Sequence, residues 1–336
     1  MFAILWPMIL VTGASGFVGV NLCRRLEEAG LSYRALVRSR SKALERGLPA
    51  DRLHVGDLGG DLEAALEGVD QVLHLAGLVR GSRAELLEVN KAGTERLVSA
   101  LANHAPQARL VLLSSLAAAG PSPDGATSAR EPEDCRPPSY YGQSKREGEL
   151  ALRSCQNPWL VLRPGIVYGP WDKDVLILFK QARRGPGVLS GPEAHYSMIH
   201  VEDLVTALIL ALETPTLHRF LPLARDPALL DSEWLRMLGA AQQGSSRVLR
   251  LPRFLGWVAA GSAEFLALFR SDPPAFNLDK YREMRAGSWV IDTRPAREHL
   301  SFEATISHEE GFAETVAWYR ERGWLDETGG AVSGQG

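Results

Sequence analysis

The stretch Ile9–Gly19, ILVTGASGFVG, constrains the fold more than any other part of the chain. Four residues typical of a buried strand lead into glycines at positions 13, 16 and 19, and a helical pattern follows over Gly16–Ala29. Such a turn lets the backbone approach a phosphate, to which the helix N-terminus offers N–H groups and a partial positive charge. Gly13, Gly16 and Gly19 therefore predict a dinucleotide-binding turn; the alternative is a tight turn that only needs small residues.

Short apolar runs alternate with helical patterns from Met8 to about Val167. The predicted strands are Ile9–Thr12, Tyr33–Val37, Leu53–Val55, Gln71–Leu75, Arg109–Ser114 and Trp159–Arg163. The predicted helices are Gly16–Ala29, Leu62–Leu66, Glu85–Asn103 and Tyr141–Ser154. Because repeated βαβ units form a parallel sheet covered on both faces, the sequence predicts an α/β fold with a Rossmann-type doubly wound parallel sheet.

The 336 residues are enough for two unequal domains. We assign residues 1–168 and 197–222 to the nucleotide-binding domain. Residues 169–196 and 223–326 are assigned to a smaller, mainly helical substrate-binding domain, and residues 327–336 to a flexible tail. Gly120–Ser139 is dense in Pro, Gly, Ser and Asp, which predicts a long loop of the kind that is usually functional.

Composition excludes several other classes of protein. The net charge of −3 and the scattered Lys and Arg residues argue against a nucleic-acid partner. Three cysteines without CxxC spacing indicate reduced thiols and no metal site, as expected of a cytoplasmic protein. No apolar run is long enough to span a membrane. Met1–Pro7 is apolar but does not resemble a signal peptide, so it is either a short extension or a contact with a membrane or a partner.

The choice of dinucleotide depends on the end of the second predicted strand. An acidic residue there holds a ribose 2′-hydroxyl, whereas an arginine accepts a 2′-phosphate. This chain has no Asp or Glu there but has Arg38, Ser39, Arg40 and Lys42, so NADP is favoured over NAD. The alternative is a solvated basic loop. Asp57, after the third strand, is a candidate acceptor for the adenine amino group or a surface-turn residue.

Tyr141 and Lys145 lie four residues apart and therefore on one face of a predicted helix. A tyrosine is a useful proton donor or acceptor near neutral pH only if its phenolate is stabilised, which a nearby ammonium does. Ser115 follows the fifth strand and is a candidate donor to the oxygen of a carbonyl or alcohol. An exposed helical pair is the alternative interpretation. Tyr140 is out of register with Lys145 and is expected to be a packing or pocket residue.

Together these motifs resemble the extended short-chain dehydrogenases/reductases, the NAD-dependent epimerase/dehydratase type, over about residues 8–215. The matching segments are TGASGFVG, GDL, HLAG, VNKAGT, LLSS, YYGQSK, LRPGIVYGP and IHVEDL, in the family's order. The resemblance implies that Ser115, Tyr141 and Lys145 are catalytic. It also implies that Lys145 holds the nicotinamide ribose and that Asn90 supports the site. A homodimer is expected from the family.

Further cofactor contacts are implied by the same motifs. Besides the glycines, Arg38, Asp57, Tyr141 and Lys145, they are Ser15, Phe17, Leu58, Ala76, Gly77, Ser114, Pro164 and Val167. A substrate pocket is expected from Val79, Leu116, Ala117, Trp171, Tyr196 and the helix over Phe254–Phe269. For each single pocket residue, a place in the second domain's core is the alternative. His200 is expected to make structural hydrogen bonds.

Two features separate the branches of the family. Tyr196 and Ser197 stand where nucleotide-sugar enzymes often carry Arg and Asp, and Leu116 and Ala117 replace the acidic pair of sugar dehydratases. The helical C-terminal half resembles dihydroflavonol-reductase-like and 3β-hydroxysteroid-dehydrogenase-like members, which implies hydride transfer to or from a hydrophobic ketone or alcohol. A nucleotide-sugar 4-epimerase with bound NAD, for which Arg285 is a candidate phosphate contact, and a non-catalytic NADP sensor remain alternatives.

Overall fold

The computed structural model describes residues 7–184, 186–244, 247–267 and 278–325. The predicted tail over 327–336, the first six residues and the end of the predicted helix Phe254–Phe269 lie outside these residues. Within them, no helix is long and apolar enough to cross a bilayer, and no cluster of His, Cys, Asp and Glu side chains is suited to hold a metal ion.

The described chain alternates strands and helices. The strands are β1 (Ile9–Thr12), β2 (Tyr33–Val37), β3 (Leu53–Val55), β4 (Gln71–His74), β5 (Arg109–Leu113), β6 (Trp159–Pro164), β7 (Ile166–Tyr168), β8 (Gly187–Ser190), β9 (His195–His200), β10 (Phe220–Leu223), β11 (Arg225–Leu230) and β12 (Val248–Leu251). The helices are α1 (Phe17–Glu28), α2 (Arg40–Glu45), α3 (Glu63–Leu66), α4 (Arg83–Leu87), α5 (Gly93–His104), α6 (Leu116–Ala119), α7 (Tyr140–Ala151), α8 (Leu176–Arg184), α9 (Val201–Glu213), α10 (Asp231–Ala241), α11 (Arg253–Ala267), α12 (Leu278–Arg285), α13 (Arg294–Leu300) and α14 (His308–Glu321).

Seven parallel strands form the main sheet in the order β10-β6-β5-β4-β1-β2-β3, which confirms the predicted fold class. One face packs against α1, α9 and α13, and the other against α3 and α5. Strands covered on both faces are apolar throughout, which is why they read as continuous apolar runs. The strand order reverses between β1 and β4, and ligands of such sheets bind at the carboxyl ends of the strands at that point.

The predicted bounds of the first three strands match the structure, and the others differ by one residue at their ends. The predicted helix Glu85–Asn103 is interrupted: a π turn over Glu88–Ala92 separates α4 from α5. The sequence analysis missed β10, whose Pro222 lacks an amide donor. Proline is tolerated there because β10 lies at the edge of the sheet.

The remaining elements form a second part of the molecule. A three-stranded sheet, β11-β9-β7, and a two-stranded parallel sheet, β12-β8, accompany α8, α10 and α14 around a core that contains Tyr168, Phe179 and Phe312. Ala296 and Leu300 of α13 are buried instead in the core beneath the main sheet. Part of the segment predicted to form the substrate-binding domain, 223–326, therefore packs in the core beneath the main sheet.

A fully buried ion pair joins three elements of the main domain. The guanidinium of Arg163 on β6 donates to both carboxylate oxygens of Glu149 on α7, at 2.8 and 2.7 Å. It also donates to the carbonyls of Ser128 (3.1 Å) and Arg130 (2.6 Å) in the long loop and stacks on Phe220. Through these hydrogen bonds the guanidinium group anchors both α7 and the long loop to the sheet.

Replacing Arg163 with Met should leave the Glu149 carboxylate buried without its counter-ion. We expect the free energy of unfolding to fall by about 3–5 kcal/mol in urea denaturation. Arg153→Met is the matched control, because Arg153 pairs with Glu131 and Glu133 at the exposed surface and should cost at most about 1 kcal/mol. Equal losses in the two variants would contradict the structural role of the buried pair.

Candidate active site

The turn between β1 and α1 fits closely against the loop that follows β4. Gly13 has a left-handed φ of +70°, and a Cβ there would lie 2.6 Å from the amide nitrogen of Ala76. A Cβ on Gly19 would lie 2.3 Å from the carbonyl oxygen of Gly13. Gly16 precedes α1 in an extended conformation and supplies no side-chain cap. The first N–H groups of α1 therefore face the carboxyl edge of the sheet without a capping side chain.

Basic residues follow β2, as the sequence indicated. Arg38 is exposed immediately after the strand, and Arg40 and Lys42 are exposed in α2. The Ser39 hydroxyl accepts from the Lys42 amide at 3.3 Å and caps α2. One carboxylate oxygen of Asp57 accepts from the Gly59 amide at 2.7 Å, so this side chain shapes its own turn whatever its role toward a ligand.

Ser115, Tyr141 and Lys145 meet at the carboxyl end of β5. Ser115 begins α6 and accepts from the amide of Ala117 at 3.1 Å. Tyr141 lies in the first turn of α7, and the Lys145 ammonium, one turn on, donates to the Leu113 carbonyl at 2.7 Å. The Ser115 hydroxyl is close enough to the Tyr141 phenol to lower the pKa of that phenol. The three predicted catalytic side chains are thus brought together.

The pKa values of Tyr141 and Lys145 depend mainly on how deeply the two side chains are buried. Burial raises the pKa of Tyr141; the nearby Ser115 hydroxyl opposes this rise, and the Glu283 and Asp174 carboxylates add to it. Burial lowers the pKa of Lys145 to about 8, against the attraction of Glu149. Tyr141 is therefore held in its protonated form at neutral pH. The expectation that Lys145 lowers the tyrosine pKa stays a prediction, because its ammonium is directed to the Leu113 carbonyl.

Asn90 fastens the loop after β4 to α7. Its amide group donates to the Leu78 carbonyl and the Ser144 hydroxyl, and its oxygen accepts from the Leu78 amide, each at 2.8 Å. A Cβ on Gly77 would lie 3.1 Å from the Asn90 oxygen and 3.5 Å from the Lys145 nitrogen. Asn90 thus has the contacts of a supporting residue, and Gly77 leaves room beside the ammonium.

His74 is a buried site residue that the sequence analysis did not single out. One ring nitrogen lies 2.6 Å from the Thr12 hydroxyl and the other 3.1 Å from the Thr94 hydroxyl. Burial, with a contribution from Lys145, lowers the pKa of His74 to about 3, so the ring is neutral. It connects β1, β4 and α5 beneath the glycine turn. The HLAG motif begins with His74 and was the only sequence signal for this residue. The motif does not show that Thr12 and Thr94 are the buried partners of the ring.

The predicted pocket residues lie in different parts of the structure. Leu116 is buried in an apolar cluster with Trp289 and Ile291, against which Tyr196 packs. Trp171 lies elsewhere, with its ring 5.0 Å from that of Trp318. Ala117 contacts α7 through its carbonyl, and Val79 is exposed in the loop after β4. Val167, which was predicted as a cofactor contact, packs against the main core.

Several other predicted residues have contacts of their own. The expectation that His200 makes structural hydrogen bonds is wrong. The ring is buried and packs edge-on against Tyr168, and neither ring nitrogen makes a hydrogen bond to a described residue. Ser114 is also buried, and its hydroxyl has no partner among the described residues. Tyr140 is exposed between the guanidinium groups of Arg83 and Arg282.

Helix α12, in the second part of the molecule, caps the N-terminus of α7, the helix that carries Tyr141. The Asp279 carboxylate on α12 accepts from the amides of Tyr140 (2.7 Å) and Tyr141 (3.3 Å). Glu283, one turn on, accepts from the Ser139 hydroxyl at 2.8 Å. A negative charge at a helix N-terminus stabilises the helix. Because α7 and α12 are about 140 residues apart in sequence, no local pattern indicated this contact.

Comparison with known proteins agrees with this architecture. Residues 9–219 match the NAD dependent epimerase/dehydratase family, and the chain belongs to that family. It is 33% identical over 326 residues to a ceramide reductase from Caulobacter vibrioides, covering 95% of this chain and 96% of that protein. It is 29% identical to sterol demethylase protein B from Methylococcus capsulatus, covering 94% and 99%.

A solved structure of MoeE5 in complex with UDP-glucuronic acid and NAD is 25% identical to this chain. The match covers 94% of this chain and 99% of that chain, with a TM-score of 0.71. The comparisons confirm the resemblance to the extended short-chain dehydrogenases/reductases. The protein is an NAD(P)-dependent enzyme of this type, with reductases among its relatives.

Proposed function

We propose that this enzyme transfers a hydride between NADP and the carbonyl or secondary-alcohol carbon of a small, apolar substrate. The observation that carries the proposal is the grouping of Ser115, Tyr141 and Lys145 at the carboxyl end of β5, with the apolar cluster of Leu116, Trp289 and Ile291 beside them. Relatives whose names refer to ceramide and to sterol support the apolar class of substrate.

The residues of the glycine turn fit a dinucleotide. Gly13 and Gly19 approach the neighbouring backbone so closely that any Cβ would clash, and α1 begins without a capping side chain. A diphosphate at this helix N-terminus would accept the first N–H groups of α1. The buried hydroxyl of Ser114 lacks a protein partner among the described residues and is suited to a bound group at the same edge. Arg38, exposed directly after β2, would accept the 2′-phosphate of NADP.

The proton is moved by residues of this chain, while a bound nicotinamide supplies or accepts the hydride. In reduction, protonated Tyr141 gives its phenolic proton to the substrate oxygen as the carbonyl carbon gains the hydride. Ser115 donates a hydrogen bond to the same oxygen, and the Lys145 ammonium favours the phenolate that remains. In oxidation the steps reverse, so Tyr141 must first lose its proton.

Internal contacts at positions 196 and 197 argue for an apolar substrate over a nucleotide sugar. The Ser197 hydroxyl accepts from the Ile291 amide at 2.9 Å, and the Tyr196 hydroxyl donates to the Met284 carbonyl at 3.4 Å. Neither side chain carries the charge that would pair with a diphosphate. The polar groups at these positions therefore stabilise the second part of the molecule, which supports a reductase acting on an apolar ketone.

Tyr141→Phe tests the proton donor. We expect kcat for reduction of an apolar ketone to fall by about 10²–10⁴-fold, because general acid catalysis is lost, while the dissociation constant of NADP stays unchanged. Tyr140→Phe is the matched control, since the neighbouring ring lies at the surface, and it should retain full kcat. Full turnover by Tyr141→Phe would exclude this mechanism. An enzyme-like fold that binds NADP but turns over no ketone would favour the sensor alternative.

Arg38→Ala tests the cofactor preference by calorimetry. Loss of a charge-assisted hydrogen bond to a phosphate should weaken NADP binding by about tenfold or more and leave NAD binding unchanged. Arg96→Ala is the control, because Arg96 lies on α5 and pairs with Glu88. Tight NAD binding that is indifferent to Arg38, or NAD that co-purifies with the protein, would instead favour the 4-epimerase.

Glu283→Gln tests the electrostatics of the tyrosine. Alcohol oxidation needs the Tyr141 phenolate, so its rate rises with pH through the pKa of Tyr141. Since the Glu283 carboxylate raises that pKa, its removal should move the ascending limb of the kcat/KM profile to lower pH, while glutamine still accepts from Ser139. Glu147→Gln, on the same helix as Tyr141, should leave the limb unchanged. A shift to higher pH in Glu283→Gln would contradict the assignment.

A further inference from the structure

One face of the second part carries a concentration of exposed apolar side chains. Val188 on β8, Leu249 and Leu251 on β12, and Phe254, Trp257 and Val258 on α11 are all exposed. Phe254 is 65% exposed and Trp257 58%. Single exposed apolar residues are ordinary, but a contiguous group marks an interaction site. We call these six residues the apolar face.

The register of the small sheet makes the strand residues of this face contiguous. Val188 pairs with Leu249, and Ser190 pairs with Leu251, so their side chains point to the same side. On the other side, Leu189 is buried in the core and α10 covers the sheet. The side that bears Val188, Leu249 and Leu251 is also the side on which α11 lies, because Ser190 contacts Gly256.

The helical period places the remaining residues away from the protein. Gly256 faces inward: a Cβ there would lie 2.5 Å from the Ser190 hydroxyl and 2.7 Å from the Tyr281 ring. At about 100° per residue, the sector shared by Phe254, Trp257 and Val258 is roughly opposite Gly256. A helix that is apolar on its outer side as well as its inner side requires a further surface to cover it.

The charges around the apolar face indicate what that surface is. The segment Arg247–Gly261 contains three arginines and no carboxylate, in a chain whose net charge is −3. Arg250 turns toward the protein and pairs with Asp231, whereas Arg253 is exposed beside the apolar residues. Two copies of the chain joined through this face would bring like charges together, which disfavours a homodimer here. An anionic lipid surface would neutralise them.

We infer that the apolar face docks on the surface of an anionic phospholipid bilayer. Phe254 and Trp257 would enter the boundary between headgroups and acyl chains, a depth that aromatic rings favour, while Arg253 meets the lipid phosphates. The chain lies on the bilayer in this arrangement and does not span it. The charge of the segment and the outward aromatic side chains both fit this single occupant.

The apolar face is connected to the candidate active site through α12. The Tyr281 hydroxyl on α12 donates to the Arg253 carbonyl of α11 at 2.5 Å, and Asp279 of the same helix caps the turn that bears Tyr141. A bilayer at this face would therefore lie next to the helix pair that covers the tyrosine. If the substrate is an apolar ketone, which rests on the proposed function, the bilayer is the phase in which it is concentrated.

Vesicle binding tests the inference without any turnover. The full chain is sedimented with vesicles of equimolar phosphatidylcholine and phosphatidylglycerol, and with phosphatidylcholine vesicles alone. We expect binding to the anionic vesicles that weakens with added salt. The double variant Phe254→Ser/Trp257→Ser should bind about tenfold or more weakly, and Arg253→Ala about fivefold more weakly. Leu44→Ser/Val55→Ser, which alters exposed apolar residues of the main domain, should bind like the unaltered chain.

Because both replaced side chains are exposed, the double variant should keep its thermal stability. The inference is overturned if the unaltered chain does not sediment with anionic vesicles, or if the double variant sediments equally well. It is also overturned if ultracentrifugation shows a dimer that the double variant alone dissociates, since the face is then an interface between copies. Vesicle binding without ketone turnover would remove the proposed function and leave the docking surface standing.

Discussion

The position of α7 on the sheet depends on the buried pair of Arg163 and Glu149. A guanidinium and a carboxylate that are both removed from water are tolerated only when their hydrogen bonds are satisfied, and here two loop carbonyls complete the set. The same helix carries Tyr141 two turns and Lys145 one turn before Glu149. The charge pair therefore sets where the candidate catalytic side chains stand relative to the end of β5.

Close backbone contacts supply the second constraint. The β1–α1 turn approaches the loop after β4 at Gly13, and α7 approaches the π turn at Gly148, where a Cβ would lie 2.4 Å from the Asn90 carbonyl oxygen. Packing at these distances leaves no room for side chains, so the glycines determine how closely the elements meet. Asn90 and His74 then satisfy the polar groups that such close packing buries.

The second part of the molecule acts on the site through α12. Its Asp279 and Glu283 lie at the first turn of α7, and Glu283 contributes to the high pKa of Tyr141. Through Tyr281 the same helix is joined to α11 and to the apolar face. One short helix thus connects the surface that we infer to meet lipid with the residue that we propose to move the proton.

The parallel sheet, the glycine turn and the Tyr141–Lys145 pair could be predicted from the sequence, because each depends on a local period or spacing. The strand Ile9–Thr12 and the helix after it were readable from adjacent residues alone. The sequence did not indicate β10, because Pro222 is acceptable in a strand only at the edge of a sheet. It also did not indicate that Trp171 lies apart from Leu116 and Tyr196. No local pattern indicated the partners of Tyr141 or the outward side of α11, since these depend on which distant segments pack together and which side chains burial leaves uncovered.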